Sequence, residues 1–138
     1  MVIRLRRYLY WIWIPVLLFS FGCTKKESAQ NAPVLVTQIQ IDYRHKQDHL
    51  LRRYTNTKKI DVILYYLYDL EPVGRPQEDP EQIQEDFCRI TLGFSDGKTK
   101  IYRQIGNKYL SVDSHPWQKI KENEGRVLYH LVNHIPSD

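Results

Sequence analysis

The sequence predicts an α+β domain: an antiparallel sheet of about five strands and two amphipathic helices, in the order β-β-α-β-β-β-α. Three observations carry this expectation. Apolar and polar residues alternate along Leu35–Tyr43 and again along Cys88–Phe94, the period of a strand with one buried face. Between them Ile60, Ile63, Leu64, Leu67 and Leu70 recur at spacings of three and four, which places them on one stripe of a helix. The dipeptide Asp96-Gly97 then sits between two alternating runs, the pattern of a tight hairpin.

Taken in order, Val34–Tyr43 forms the first strand, with Leu35, Thr37, Ile39, Ile41 and Tyr43 on one side. His45-Lys46-Gln47-Asp48 breaks the alternation, and His49–Tyr54 returns with Leu50 or Leu51 turned inward. Thr55, Asn56 and Thr57 offer side-chain oxygens to the free amides of a helix start, and the helix runs to about Leu70. Pro72, Gly74 and Pro76 stop it. Glu71–Glu85, with three prolines and clustered acids, reads as a long loop, a length that is uncommon inside a domain unless the loop has a function or is mobile. A three-strand meander follows over Cys88–Phe94, Thr99–Ile105 and Lys108–Val112. A type I′ turn is expected at Asp96-Gly97 and a second turn at Gly106-Asn107. On this phase Ile101 faces the core and Tyr102 faces away. The segment 122–135 stripes Val127, Leu128, Leu131 and Ile135 along a second helix, weakened near its start by Gly125 and ended by Pro136.

The segment before this domain has a different chemistry. Arg4, Arg6 and Arg7 precede an apolar run from Tyr8 to Phe19, which closes on Ser20-Phe21-Gly22-Cys23 and gives way to the polar stretch Thr24–Pro33. A basic start followed by about a dozen apolar residues is a secretory signal, too short to remain as a helix across about 30 Å of hydrocarbon. With Gly22 directly before Cys23 and Thr24-Lys25-Lys26 behind it, the segment resembles a bacterial lipoprotein precursor. The resemblance implies cleavage before Cys23, lipid modification of that cysteine with groups such as palmitate, and a domain held at the extracytoplasmic face of the cell membrane. Residues 1–22 are then the signal, 23–33 the lipidated cysteine and a tether, and 34–138 one domain. The body resembles no characterised family.

Charge and cysteines narrow the function classes. The chain has 20 Lys plus Arg against 16 Asp plus Glu, a net charge of +4. Three arginines leave with the signal, so the remainder is close to neutral and gives no field for gripping nucleic acid. With Cys23 consumed by lipid, Cys88 has no partner for an intrachain disulfide, and apolar burial must hold the fold. No cofactor motif is present. Cys88 lies on the apolar side of its strand, where it packs as a small hydrophobe.

His130 and His134, four apart on a predicted helix, could reach one metal ion, which makes a metal-binding lipoprotein one alternative. Glu78, Asp79, Glu81, Glu85 and Asp86 supply carboxylates for a small envelope hydrolase, a second alternative, but in no ordered ligand spacing. The aromatic content points elsewhere. The sequence has ten tyrosines and three tryptophans; Tyr8, Tyr10, Trp11 and Trp13 leave with the signal, and the tyrosines that remain, with Trp117, are still more than a core of this size requires. Helical and strand phase turn Tyr65 and Tyr102 away from the apolar residues and set Tyr66 and Tyr68 at the flanks of the helical stripe; Tyr65, Tyr66 and Tyr102 are the expected working surface, with the Glu71–Asp86 loop at its rim. Exposed tyrosine gives large contact area at low entropic cost. The expected function is therefore binding without chemistry, with another envelope or surface protein as partner.

Overall fold

In the computed structural model, residues 32–121 and 133–138 are described. The chain divides into two units, Met1–Pro33 and Val34–Asp138, and the account below concerns the second. It contains strands β1 (Val36–His45) and β2 (Asp48–Tyr54), helix α1 (Thr57–Asp69), and strands β3 (Pro72–Gly74), β4 (Phe87–Phe94), β5 (Thr99–Ile105), β6 (Tyr109–Val112) and β7 (Gln118–Ile120). The strands form one sheet in the order β2-β1-β4-β5-β6-β7-β3, and every neighbouring pair is antiparallel.

Seven strands replace the five expected. The two additions, β3 and β7, are three residues each, too short for alternation to declare them, and β3 arises inside the stretch read as loop. Pro72 can join β3 because the strand lies at the sheet edge, where a missing N–H need not interrupt a ladder. Among the described residues there is one complete α-helix, where the sequence predicts two. The second predicted helix, 122–135, falls outside the described residues except for Asn133, His134 and Ile135.

Helix α1 starts where its cap directs. The Asn56 side-chain oxygen accepts from the backbone N–H of Lys58 at 3.0 Å and of Lys59 at 3.4 Å, satisfying two amides that have no partner in the first turn. The helix lays Ile60, Ile63, Tyr66 and Leu67 against the face of the sheet that carries Ile39, Ile41 and Tyr43 of β1, Tyr54 of β2, and Cys88, Ile90 and Leu92 of β4. Ile39, Ile41, Ile63, Ile90 and Leu92 are fully buried. Each such side chain contributes about 1.5–3 kcal/mol relative to exposure, so this layer supplies most of the driving force. The opposite face, called outer below, carries Gln38, Gln40, Asp42 and Arg44 of β1 and Phe87, Arg89 and Thr91 of β4.

The β4–β5 hairpin departs from the expected turn, and the departure has a structural effect. Phe94 N–H donates to Lys98 O at 2.9 Å and Gly97 N–H to Phe94 O at 3.0 Å, so the loop spans three residues, with Gly97 alone in the left-handed region at φ 83°. This is the turn-plus-bulge form rather than the two-residue type I′ form. The extra residue shifts the register by one position, pairing Ile90 with Tyr102 and Leu92 with Lys100. A shift of one exchanges the two faces of a strand, so Tyr102 and Gln104 turn toward the helix while Ile101, Arg103 and Ile105 turn outward.

A clasp made by Asp138 closes the far side of the domain. One oxygen of its carboxylate accepts from Thr55 N–H at 2.5 Å and Asn56 N–H at 2.6 Å, and the other lies 2.6 Å from Lys59 Nζ. The Tyr54 hydroxyl donates to Ile135 O at 3.0 Å, Lys59 Nζ to Pro136 O at 2.9 Å and Asp138 N–H to Arg53 O at 3.1 Å, so residues 135–138 are held over the β2–α1 junction at several points. The Lys59 hydrogen bond, followed by the two backbone amides, holds the Asp138 carboxyl well below the usual carboxylate range. A depressed pKa contributes stability that is complete above the unfolded value of about 3.9 and is lost as pH falls through the folded one. Asp138→Asn is therefore expected to lower the melting temperature at pH 7. The gap to the unaltered protein should begin to narrow once pH drops below about 4, as read by calorimetry across a pH series.

Candidate functional site

Two surfaces of the domain are candidates, one on the helix and one on the outer face of the sheet. On α1, Val62, Tyr65 and Tyr68 recur every third residue opposite the buried stripe, and Asp61 and Asp69 lie among them. Tyr65 is 76% exposed and Tyr68 64% exposed, large values for aromatic rings. Tyr65 is thus placed where helical phase put it.

The other two tyrosines proposed with it are not. Tyr66 is 6% exposed: the buried stripe is centred nearer Ile63 and Leu70 than the sequence spacing suggests, and the Tyr66 hydroxyl donates to Gln104 Oε1 at 3.3 Å within the interior. That partner makes burial of the polar tip tolerable. Tyr102 is also 6% exposed, because the three-residue turn rotates its strand face inward. Neither ring can contribute to a docking surface.

The second surface is a cleft of about 350 Å³ lined by Glu81, Ile83, Glu85, Phe87, Arg89, Arg103, Ile105 and Trp117. Its floor is two cross-strand pairs on the outer face, Phe87 with Ile105 and Arg89 with Arg103. The acidic loop forms one wall, and this is where its ordered contacts fall. Asp79 caps a single 3-10 turn at Pro80–Gln82, which presents Glu81 to the cleft. Glu78 accepts from the Tyr109 hydroxyl at 2.7 Å, a bond that raises the tyrosine pKa by favouring its protonated form. Glu85 lies 3.4 Å from Lys108 Nζ. Trp117 closes the other side, with its indole N–H donating to Glu81 Oε1 at 3.3 Å and its ring 5.1 Å from the Arg103 guanidinium, in cation–π range. Volume and composition fall within the range of small-ligand sites, which combine apolar walls with a few convergent polar groups.

The chemistry considered from sequence finds little here. Cys88 is buried, burial pushes its thiol far up and the Asp42 carboxylate adds to that shift, so the thiolate needed for nucleophilic attack is suppressed. Each of the five loop carboxylates has a protein contact. Asp86 accepts from the Tyr43 hydroxyl at 2.6 Å and meets His45 Nδ1, while Glu78, Asp79, Glu81 and Glu85 are engaged as described. Of the proposed metal pair, His130 lies outside the described residues, and His134 is exposed. Among the described residues no group of three His, Cys, Asp or Glu side chains could hold a metal ion. Cys23 also lies outside them, and no helix of the described residues is long and apolar enough to cross a membrane.

Sequence reasoning did not assemble the cleft. One signal was available: Arg89 and Arg103 are equally spaced on either side of Asp96, so a hairpin turning there sets them opposite each other. Comparison with protein-family models, with curated proteins and with solved structures found no match.

Two measurements check these placements. Tyr65→Ala should leave stability within about 0.5 kcal/mol of the parent, as exposed sites do, while Tyr102→Ala should cost about 3 kcal/mol or more, as loss of a buried ring does. The Cys88 thiol should react with iodoacetamide slowly in the native protein and rapidly in denaturant; fast native labelling would show that its strand opens locally.

Proposed function

We propose that this chain is a lipid-anchored extracytoplasmic protein, attached to the cell membrane through Cys23, whose α+β domain acts by binding an envelope or surface protein and not by catalysis. The observation that carries the binding reading is the exposed face of α1. There Val62, Tyr65 and Tyr68 form an apolar stripe on solvent while the opposite side of the same helix fills the core. Rings in this position enlarge a contact with little entropy to lose, and the adjacent Asp61 and Asp69 favour a partner with basic residues around its own apolar patch. The engaged carboxylates and the suppressed Cys88 thiol support binding over hydrolysis. The anchoring rests on the order of the basic start, apolar run, Gly22 and Cys23.

The test has two arms in cells of the source type. An alkyne fatty acid should label the full chain, and Cys23→Ala should abolish the label; an unlabelled parent would end the anchoring claim. A photo-crosslinking residue placed at Tyr65 should give a discrete adduct with one envelope protein that Tyr68→Ala weakens. The same residue at Gln40, exposed on the outer sheet face, should give none. Equal adducts from both positions, or none from position 65, would remove the helix as the docking surface.

A further inference from the structure

The pairing of Arg89 with Arg103 across adjacent strands is the least expected feature of the sheet. Like charges directly opposite each other destabilise an antiparallel pair, and a sheet with no use for them would place one acid or neutral residue there. The surroundings leave the repulsion largely unrelieved. Arg103 donates to Ser111 Oγ at 3.0 Å and stacks on Trp117, and its Nε is buried without a hydrogen-bond partner. Its carboxylate neighbour is Glu81, 3.9 Å away and well exposed. Arg89 is exposed, forms no ion pair among the described residues, and has its guanidinium 5.9 Å from the Phe87 ring. Two arginines thus leave adjacent strands on the same face and both line the cleft, with Phe87, Ile105, Ile83 and Trp117 as its apolar lining and Glu81 and Glu85 on the loop side.

We propose that this cleft is a binding site for a carboxylate with an apolar body, the anion seated on Arg89 and Arg103 and the body packed over Phe87, Ile105 and Ile83. Guanidinium presents paired N–H donors in the plane that a carboxylate requires, and a bound anion turns the cross-strand repulsion into two favourable contacts. The cavity, about 350 Å³, accommodates a body of the size of one aromatic side chain. Glu81 lines the cleft from the loop side, near Arg103 and held by the Trp117 indole, and acts as an internal competitor for the arginines. The site lies on the sheet face opposite α1 and stands independently of the helix docking surface.

The test is calorimetric titration of the full chain in detergent with N-acetyl-phenylalanine and, separately, with its amide, which keeps the shape and removes the charge. The acid is expected to bind at least tenfold more tightly than the amide. Arg89→Gln, at an exposed position without an ion pair, should fold normally and weaken the acid at least tenfold. Glu81→Gln should tighten it several-fold by removing the competitor, an effect that a merely structural role for Glu81 would not produce. A pentapeptide ending in a free phenylalanine carboxylate distinguishes the source: binding of both acids points to peptide chain ends, and binding of the small acid alone points to free metabolites. Failure of the acid to bind the parent, equal binding of acid and amide, or undiminished binding by Arg89→Gln would each overturn the proposal.

Discussion

The arrangement of both faces depends on one residue in the turn between β4 and β5. With three residues in the loop instead of two, the β5 ladder is displaced by a single position against β4, and everything from Thr99 onward changes sides. Tyr102 and Gln104 enter the interior, where Gln104 receives the Tyr66 hydroxyl, so the helix and the sheet are joined by a buried polar contact as well as by apolar packing. Ile105 and Arg103 go outward and meet Phe87 and Arg89. The floor of the cleft is therefore a by-product of the same register that completes the core. Gly97 permits this geometry because it alone in the loop must adopt positive φ.

The acidic loop has a definite place in this scheme. Its prolines and carboxylates read as solvated, irregular chain, yet β3 docks its first residues on β7 and Pro80, the first residue of the 3-10 turn, is buried. Glu78 and Tyr109, Glu81 and Trp117, and Glu85 and Lys108 then tie it down at successive points along the outer face. The exposed pairs among these contribute little individually to stability, but together they fix where Glu81 and Ile83 stand relative to the two arginines.

Local chemistry was legible wherever a single element determined its own form. Alternation along β1, the Asn56 cap, the Ile60–Ile63–Leu67 stripe and the existence of the Asp96-Gly97 hairpin could all be read because each depends on near neighbours. Two kinds of feature could not. β3 and β7 are three residues each, and only the docking of β7 on β6 and of β3 on β7 makes them strands. The facing of Tyr102 depended on a loop length that Asp-Gly leaves open between two hairpin forms, so a hairpin read in the right place, but with the shorter loop, led to an inverted face. Tyr66 was misread for a related reason: it sits at the margin of the helical stripe, and its burial depends on how the helix is rotated on the sheet and on Gln104 of β5 receiving its hydroxyl. The cleft joins residues from the loop, two strands and Trp117, and no periodicity connects them.

The sheet's two borders differ in a way that bears on how copies of the molecule behave when crowded. One margin is β3, a three-residue strand that starts with Pro72 and so lacks one of the donors an incoming strand would need. The other is β2, seven residues long and studded with Asp48, His49, Arg52 and Arg53. Brevity and a missing amide guard the first border; the second is guarded by charged side chains that an incoming strand would have to desolvate. Among the described residues, self-association by strand addition is thereby confined to the β2 side, where the Arg53 carbonyl is already taken by Asp138 N–H at 3.1 Å and where salt modulates the approach of a second charged strand.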